Sequence, residues 1–596
     1  MPPGSSPATR ASDRRIASWA VAIAFAAGFL AYANTLGHGF VWDDSILLDQ
    51  KIRFYRGPLD VFLEPAGLPS FKVYRPLTFG SYYLDQILWS RNPLGFHLTS
   101  VLLHAVNSAL VYALAAALGC ASGPALWAAL LFAVHPIHTE AVAWIACRAD
   151  LLATTFAVLT ILAFLRYRTR GGWAALTAVA VSSFAAIASK ETGAAVPLLV
   201  LAVPGARFTE SDESNRPGRS VWLGLLASAC GLLAYWVLRP ADRAPDLSLS
   251  AFAPSGLGSL IGAFGFYVAR TFLPLGLTAY MPEAPGGGAM SLLAAVGVAF
   301  AVALLFPPPA AQSTRRFGTL WFLLALAPPL LVAVSGMLVT KVSERYLYLP
   351  SVGLCLLVAS ALSLRPRLLS TRRAAVVMAA GLAALTLVTV GRNLAWRDEI
   401  TLWSRVVSHE TRFALPYMNL GLALADAGRF DEAEHAYRAA LAARGNDTGK
   451  RDTYVNLGHL QLRRGSMDEA AELFTRANAI APHASAYYGL GVVARTRARA
   501  KLAAGDRGAA AQEFARARAA LEAALAINLR HYKSHYVLAS VLYQTGDMTG
   551  AVEHYRRVVE FAGDTTTGRD AAEALGQLTT WLSDPAHRTG GPAPAP

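Results

Sequence analysis

Two adjacent acids, Asp43 and Asp44, follow the first apolar stretch of the chain in the segment Phe40-Val41-Trp42-Asp43-Asp44. A carboxylate can take a proton from an attacking hydroxyl, and a base just outside a membrane would lie beside a lipid-linked substrate. An exposed pair of aspartates can also cap a helix or mark a solvated loop. The position directly after an apolar stretch favours the chemical interpretation.

Further polar residues recur in short motifs between the later apolar stretches. Cations among them could bind a lipid phosphate, whereas buried ion pairs and hydrogen bonds between helices are the alternative interpretation. The candidates for phosphate binding are Arg345, Lys190 and Arg148. The candidates for substrate binding are Tyr74, Arg75, His97, His135, His138, Glu140, Asp150, Glu191, Glu344 and Tyr346.

The segment His135-Pro136-Ile137-His138-Thr139-Glu140 contains two histidines and a glutamate close together, which suggests a metal site. Pro136 prevents an ordinary helical HExxH arrangement, and no third ligand is evident. Imidazoles can equally bind a substrate or a neighbouring backbone group. We therefore predict no cofactor, and a divalent metal is the less favoured alternative.

The elements that must position these residues are membrane helices. Of the 596 residues, 54% are hydrophobic and 15% are charged, and the apolar residues are concentrated in the first two thirds of the chain, which is typical of a polytopic membrane protein. We predict an all-α membrane domain of about eleven spans. They run from Ile16 to Ala33 and near Phe96–Leu118, Gly123–Val134, Leu151–Leu165, Trp173–Ala188, Gly193–Val203, Val221–Leu238, Ser291–Phe306, Phe317–Val334, Leu347–Ser363 and Ala374–Val390.

The arginines of the short loops predict the orientation, because cytoplasmic loops accumulate Lys and Arg. Arg14 and Arg15 and the arginine cluster that ends at Arg373 can both lie in the cytoplasm only if an even number of crossings separates them. Ten crossings satisfy this condition and eleven do not, so the apolar stretch Leu257 to Leu273 is predicted to lie on the outer surface. On this topology the candidate residues and the C-terminal tail all face outward.

Cysteine content and net charge exclude other classes of protein. Cys120, Cys147, Cys230 and Cys355 lie in or beside predicted spans, so no disulfide framework is indicated. The net charge of +14 is explained by cytoplasmic loops and tail helices, so we predict membrane lipids and no nucleic acid as partners.

The tail beyond Trp396 has a period close to 34 residues, which is the tetratricopeptide pattern. One unit carries Gly421, Gly428 and Tyr437, and the next carries Gly458 and Phe474 at matching positions. A third unit has about seven extra residues that lengthen its helices, and a fourth follows. Such arrays generally bind peptides or proteins, although this one could simply stiffen or dimerise the protein.

We divide the chain accordingly into five segments. They are a cytoplasmic N-terminus (1–15), a membrane domain (16–392) with an outer loop (34–95), a connecting helix (393–413), about four repeats with a C-terminal cap (414–584) and a disordered tail (585–596).

The motifs, in this order, resemble the transmembrane and tetratricopeptide-repeat (TMTC) family within the C-type glycosyltransferases. They are Phe-Val-x-Asp-Asp, Tyr-Arg-Pro-Leu-Thr, Phe-His-Leu, His-Pro-Ile-His-Thr-Glu-Ala-Val, Arg-Ala-Asp-Leu-Leu-Ala, Lys-Glu and Glu-Arg-Tyr-Leu-Tyr-Leu-Pro-Ser. The resemblance covers nearly the whole chain, and the compact form is similar to bacterial members. The repeat tail is shorter than in the animal proteins, which leaves the acceptor open.

The resemblance implies protein O-mannosylation from a polyprenyl-phosphate sugar, at the outer face of a bacterial inner membrane. It implies that one aspartate, with a preference for Asp43, is the base of an inverting transfer. Arg345, with Lys190 or Arg148, would then stabilise the departing phosphate. The repeats would recruit the acceptor, a Ser or Thr of a protein or a glycan hydroxyl.

Two other classes of function remain open at this point. A sugar transporter or flippase would suit many spans with intramembrane polar residues, although no internal repeat of the membrane half is evident. A membrane-anchored scaffold would use only its repeats, and it would need far fewer spans.

Overall fold

The protein is described from a computed structural model. The described residues are 7–63, 73–204, 217–240, 255–274, 276, 279–283, 285–305, 312–335, 340–365, 367, 371–410, 412–563 and 565–583. The chain divides into two compact units, Met1–Val406 and Val407–Pro596. Within the described ranges, the secondary structure of both units is helical, apart from one isolated β-bridge between Phe413 and Arg444. The tail predicted to be disordered (585–596) lies outside these ranges.

Most of the first unit is helical, as expected of apolar segments whose backbone groups must be hydrogen-bonded within a membrane, and short 3-10 turns join several of its helices. The 3-10 turns are Ala33–Gly37, Ile52–Phe54, Pro136–His138, Ile145–Cys147, Glu191–Ala195, Glu344–Leu347 and Leu394–Trp396. The α-helices are Pro7–Tyr32, Asp43–Gln50, Asp60–Leu63, Pro76–Trp89, Pro93–Ala117, Ser122–Val134, Thr139–Ala143, Arg148–Arg170, Trp173–Ser189, Val196–Ala202, Pro217–Leu238, Ser255–Phe272, Gly288–Leu305, Gln312–Ser335, Tyr348–Ser363, Arg372–Asn393 and Glu399–His409.

The described part of the chain contains eight helices that are long and apolar enough to cross a membrane, or nine if a bent pair forms one span. This confirms a polytopic helical membrane domain, but it does not confirm the predicted count of eleven. The three further predicted spans coincide with the bent pair Ser122–Val134 and Pro136–Ala143, which meet at 46°, and with the shorter apolar helices Trp173–Ser189 and Glu191–Ala202. These helices have the composition of a span but not its straight length.

A small apolar cluster positions the two aspartates. Leu47 and Leu48 of the Asp43–Gln50 helix are buried in it, together with Ile52, Tyr55, Val61, Phe79, Tyr82 and Phe96. Ile145, from the turn before the Arg148–Arg170 helix, belongs to the same cluster. The start of the Asp43–Gln50 helix is therefore anchored to the segment that precedes a membrane helix.

The second unit is a series of antiparallel helix pairs, as its repeat pattern predicts. The pairs are Ala414–Asp426 with Phe430–Ala442, Asp447–Arg464 with Met467–Ile480, Ala484–Ala503 with Arg507–Ile527 and Tyr532–Gln544 with Met548–Ala562, followed by Thr566–Ser583. The third pair has helices of 20 and 21 residues, against 13 and 13 in the first, which confirms the predicted lengthening. Glycine occupies each turn within a pair because φ there is positive, as at Gly428, Gly465, Gly505 and Gly546.

Candidate active site

The two aspartates begin the helix Asp43–Gln50, directly after a tight turn. The amide of Asp44 donates to the carbonyl oxygen of Val41 over 3.1 Å, and the amide of Val41 donates to Oδ2 of Asp44 over 3.0 Å. Trp42 in this turn has φ 55° and ψ −117°, which are the angles of the first central residue of a type II′ turn, where glycine is usual. The turn fixes the direction in which Asp43 leaves the backbone.

Asp43 and Asp44 differ sharply in their surroundings. Asp44 is fully buried, and its Oδ1 accepts a 2.8 Å hydrogen bond from the amide of Ala146. Burial raises the pKa of Asp44 to about 8, against the opposing effect of its two backbone donors. The side chain of Asp43 is exposed to solvent. Desolvation by the surrounding protein still raises the pKa of Asp43, and the positive charge of Arg345 opposes that shift.

Arg345 is held beside Asp43 by the carboxylate of Glu140. Its Nη1 donates to Glu140 Oε1 over 2.8 Å, and its backbone amide donates to Oε2 over 3.1 Å. The hydroxyl of Ser343 donates to the same carboxylate over 2.5 Å. The Nε and Nη2 atoms of Arg345 donate no hydrogen bond to any described residue. The guanidinium therefore keeps donors for an anionic ligand.

A second ion pair lies next to the first. Lys190 Nζ lies 2.6 Å from both carboxylate oxygens of Asp150, and both side chains are buried. The ring of Tyr346 lies near both cations, with its centroid 5.0 Å from Lys190 Nζ and 5.1 Å from Arg345 Cζ. The structure thus brings Arg345 and Lys190 to the same aromatic ring.

A third ion pair extends the cluster towards solvent. Arg75 makes a two-pronged contact with Glu191, with Nη2 to Oε2 at 2.7 Å and Nε to both oxygens at 3.1 Å. Its side chain is 24% exposed and that of Glu191 is 48% exposed, so this pair is the most accessible of the three. The negative charge of Asp150 also acts on Arg75. Seven of the predicted residues besides Asp43 therefore form one charged cluster: Arg75, Glu140, Asp150, Lys190, Glu191, Arg345 and Tyr346.

A tryptophan group next to the turn was not predicted as part of the site. The ring of Trp42 stacks on Trp144 at 4.5 Å with an interplanar angle of 6°, and Trp144 stacks on Trp396 at 5.5 Å. Trp403 meets Trp42 edge-on at 4.9 Å. Arg345 Cζ lies 5.0 Å from the Trp144 ring. The only signals in the sequence were the tryptophans themselves and the acids that follow Trp396.

Arg148, a predicted phosphate ligand, has a different environment. It is fully buried, and its Nη1 lies 2.6 Å from Oδ2 of the equally buried Asp85. Its other donors reach the hydroxyls of Ser81 and Ser100 and, over 2.7 Å, the carbonyl oxygen of Phe96. All three guanidinium nitrogens thus have acceptors, and they tie the helix Pro76–Trp89 to the helices Pro93–Ala117 and Arg148–Arg170.

The histidines are also engaged in packing. His138 bonds the carbonyl oxygen of Phe132 and the hydroxyl of Ser351, each over 2.9 Å. His97 lies 3.3 Å from the carbonyl oxygen of Gly39. His135 is buried, and its Nδ1 accepts from the amide two residues later. Among the described residues, no group of three or more His, Cys, Asp or Glu side chains could hold a metal ion.

Glu344 and Tyr74 lie at the edges of the cluster. The carboxylate of Glu344 is buried and accepts from Arg392 Nη2 over 2.6 Å, so it joins the last membrane helix to the turn that carries Arg345. The hydroxyl of Tyr74 donates to the carbonyl oxygen of Phe62 over 3.3 Å, within the segment 34–95. Both side chains support neighbouring elements.

Comparisons with known proteins agree with the two-part organisation. Tetratricopeptide repeat models match residues 412–483 and 496–565. The chain is 28% identical over 534 residues to protein O-mannosyl-transferase Tmtc1 of Drosophila melanogaster, covering 70% of this chain and 61% of that protein. It is 25% identical over 501 residues to protein O-mannosyl-transferase TMTC3 of Homo sapiens, covering 76% and 54%.

The chain thus spans less than two thirds of the length of either relative. The crystal structure of MamA matches 29% of this chain and 89% of its own chain, with 18% identity and a TM-score of 0.22. A multi-span helical unit, tetratricopeptide repeats and sequence similarity over most of the chain together make this protein a homologue of the TMTC proteins.

Proposed function

We propose that this protein is a membrane glycosyltransferase that moves mannose from a polyprenyl-phosphate donor to a Ser or Thr hydroxyl of a protein, at the outer face of a bacterial inner membrane. The names of its relatives support the reaction class. The observation that carries the proposal is an exposed carboxylate, Asp43, beside a cation with unused donors, Arg345.

In the proposed reaction, Asp43 takes the proton of the acceptor hydroxyl as its oxygen attacks the anomeric carbon. The bond between that carbon and the phosphate oxygen breaks, and polyprenyl phosphate leaves with the electron pair. Because this leaving group is already an anion, it needs no proton from a second carboxyl group, unlike the leaving group in most glycosidases. A single displacement inverts the anomeric configuration.

Two cations suit the departing phosphate to different degrees. Arg345 is fixed on one side by Glu140 and keeps Nε and Nη2 for charge-assisted hydrogen bonds. Lys190 is buried and spends two of its three donors on Asp150. We assign the phosphate contact to Arg345 and a supporting positive charge to Lys190. Arg148 is left out of this role because its donors are engaged by protein groups.

We assign acceptor recruitment to the first helices of the second, third and fourth repeats. His459, Tyr488 and His531 lie in contact there, with ring centroids 6.0 Å and 5.4 Å apart. Arg495 and Lys533 lie on the same helices and form no ion pair with a described acid. Burial and then the charge of Lys533 lower the pKa of His531 to about 4. The positive charges of Arg495 and Lys533 suit an acidic stretch of an acceptor polypeptide.

Mass spectrometry of extracytoplasmic proteins from cells with and without this chain tests the proposal. We expect hexose on Ser or Thr residues that disappears when the chain is removed. An unchanged set of hexose-modified peptides would contradict the proposed acceptor class.

A further inference from the structure

The strained turn before Asp43 is held by a residue far away in the sequence. Glu399, at the start of the Glu399–His409 helix, accepts the backbone amide of Trp42 on Oε1 over 2.8 Å. Its Oε2 accepts the indole Nε1–H of Trp403 over 2.8 Å. The amide of Gly39 donates to the carbonyl oxygen of Arg397 over 2.9 Å. The segment 397–403 therefore stabilises the turn through backbone and side-chain hydrogen bonds.

Trp42 needs such support because of its backbone conformation. A bulky residue with φ 55° is strained and persists only where its surroundings impose this conformation. Glycine would adopt the same turn without strain, but it would lack the indole that stacks on Trp144. The hydrogen bond that the Trp42 amide donates to Glu399 and the ring contacts with Trp144 and Trp403 hold Trp42 in place.

We propose that Glu399 is a positioning residue of the active site, which fixes the Val41–Asp44 turn so that Asp43 points at the acceptor hydroxyl. This inference rests on the proposed function of Asp43. Glu399 does not touch the substrate in this account; it acts through the amide of Trp42. Each oxygen of its carboxylate accepts one of these two hydrogen bonds.

The pairing of two donors with two acceptors suggests a rescue experiment. In E399Q, one oxygen becomes an NH₂ donor, so either the Trp42 amide or the Trp403 indole faces a donor and loses its hydrogen bond. W403F removes the indole donor. In the double variant E399Q/W403F, the remaining amide oxygen can accept from Trp42 while the NH₂ group no longer meets an N–H.

Two measurements on the full-length chain in detergent or nanodiscs test the role of Glu399. Hydrogen exchange of peptides covering residues 39–47 should be faster in E399Q and return towards the W403F level in E399Q/W403F. The kcat for mannose transfer should fall roughly tenfold to a hundredfold in E399Q, with the donor KM within about twofold, because a misplaced base slows the reaction more than it weakens binding. The control is E472Q, which alters an exposed pair with Arg476.

Unchanged exchange over residues 39–47 in E399Q would overturn the proposal, as would a double variant no better than E399Q. The exchange result does not depend on catalysis. Full transfer activity in D43N would therefore reject the proposed base, while faster exchange in E399Q would still show that Glu399 stabilises the turn.

Discussion

Asp43 and Asp44 are neighbours in sequence, yet one is exposed beside Arg345 and the other is buried with both oxygens bound to backbone amides. A base must be reachable and ionised when it acts. Asp44 is not reachable, and burial raises its pKa to about 8. Asp43 is therefore our candidate for the base, and Asp44 is the residue that holds its turn to the segment at Ala146.

Replacing Asp44 by alanine should destabilise the protein. The amides of Val41 and Ala146 would lose their acceptors in a buried place, which costs about 1–3 kcal/mol. Thermal unfolding of the purified protein, compared with D43A as the matched control, measures this. If D44A were as stable as D43A but inactive, Asp44 would have a chemical role that its burial argues against.

The pH dependence of kcat/KM should report the Asp43 carboxyl. Because desolvation raises the pKa of Asp43, the rate should fall on acidification at a pH above the ordinary range for aspartate. Arg345 lowers that pKa, so R345Q should move the acid limb to higher pH as well as reduce the rate. An acid limb that R345Q leaves unmoved would mean that a different group is being titrated.

Arg148 and Asp85 should behave as a structural pair. R148M leaves the Asp85 carboxylate buried without its cation, which costs about 3–5 kcal/mol. The double variant R148M/D85L should recover part of that loss. Thermal unfolding of the three proteins measures the recovery. A stable R148M protein that no longer binds the phosphate donor would instead restore the role in phosphate binding that its sequence position predicts.

Reversing charge on the repeats should affect large acceptors selectively. R495E/K533E should raise the KM for a polypeptide acceptor with an acidic stretch and leave transfer to a short neutral peptide unchanged. The comparison variant R516E/R518E reverses two exposed arginines that already have acidic partners within their own helix. Equal effects of the two double variants would indicate a response to net charge alone.

Much of the site can be predicted from short motifs. Lys190 and Glu191 are adjacent in the chain, and Glu344, Arg345 and Tyr346 are consecutive, so the cluster already has several members in common segments. Arg148 and its partner Asp85 are 63 positions apart in the chain, and Trp42 and its partner Glu399 are 357 positions apart. No local pattern encodes such pairs, because they arise only when distant helices pack.

The span count was harder to predict for a related reason. Composition identifies apolar helices, but it does not reveal that Ser122–Val134 ends at a 46° bend or that Trp173–Ser189 is short for a span. The repeats were easier, because a fixed period and turn glycines such as Gly465 are local features.

Single-turnover transfer of labelled mannose from polyprenyl-phosphate mannose to a Ser/Thr peptide, by wild-type protein and by D43N, tests the central claim most directly. We predict that the wild type transfers the sugar and that D43N loses roughly a hundredfold to ten-thousandfold in rate while still binding the donor. Transfer by D43N at the wild-type rate would contradict the assignment of Asp43 as the base.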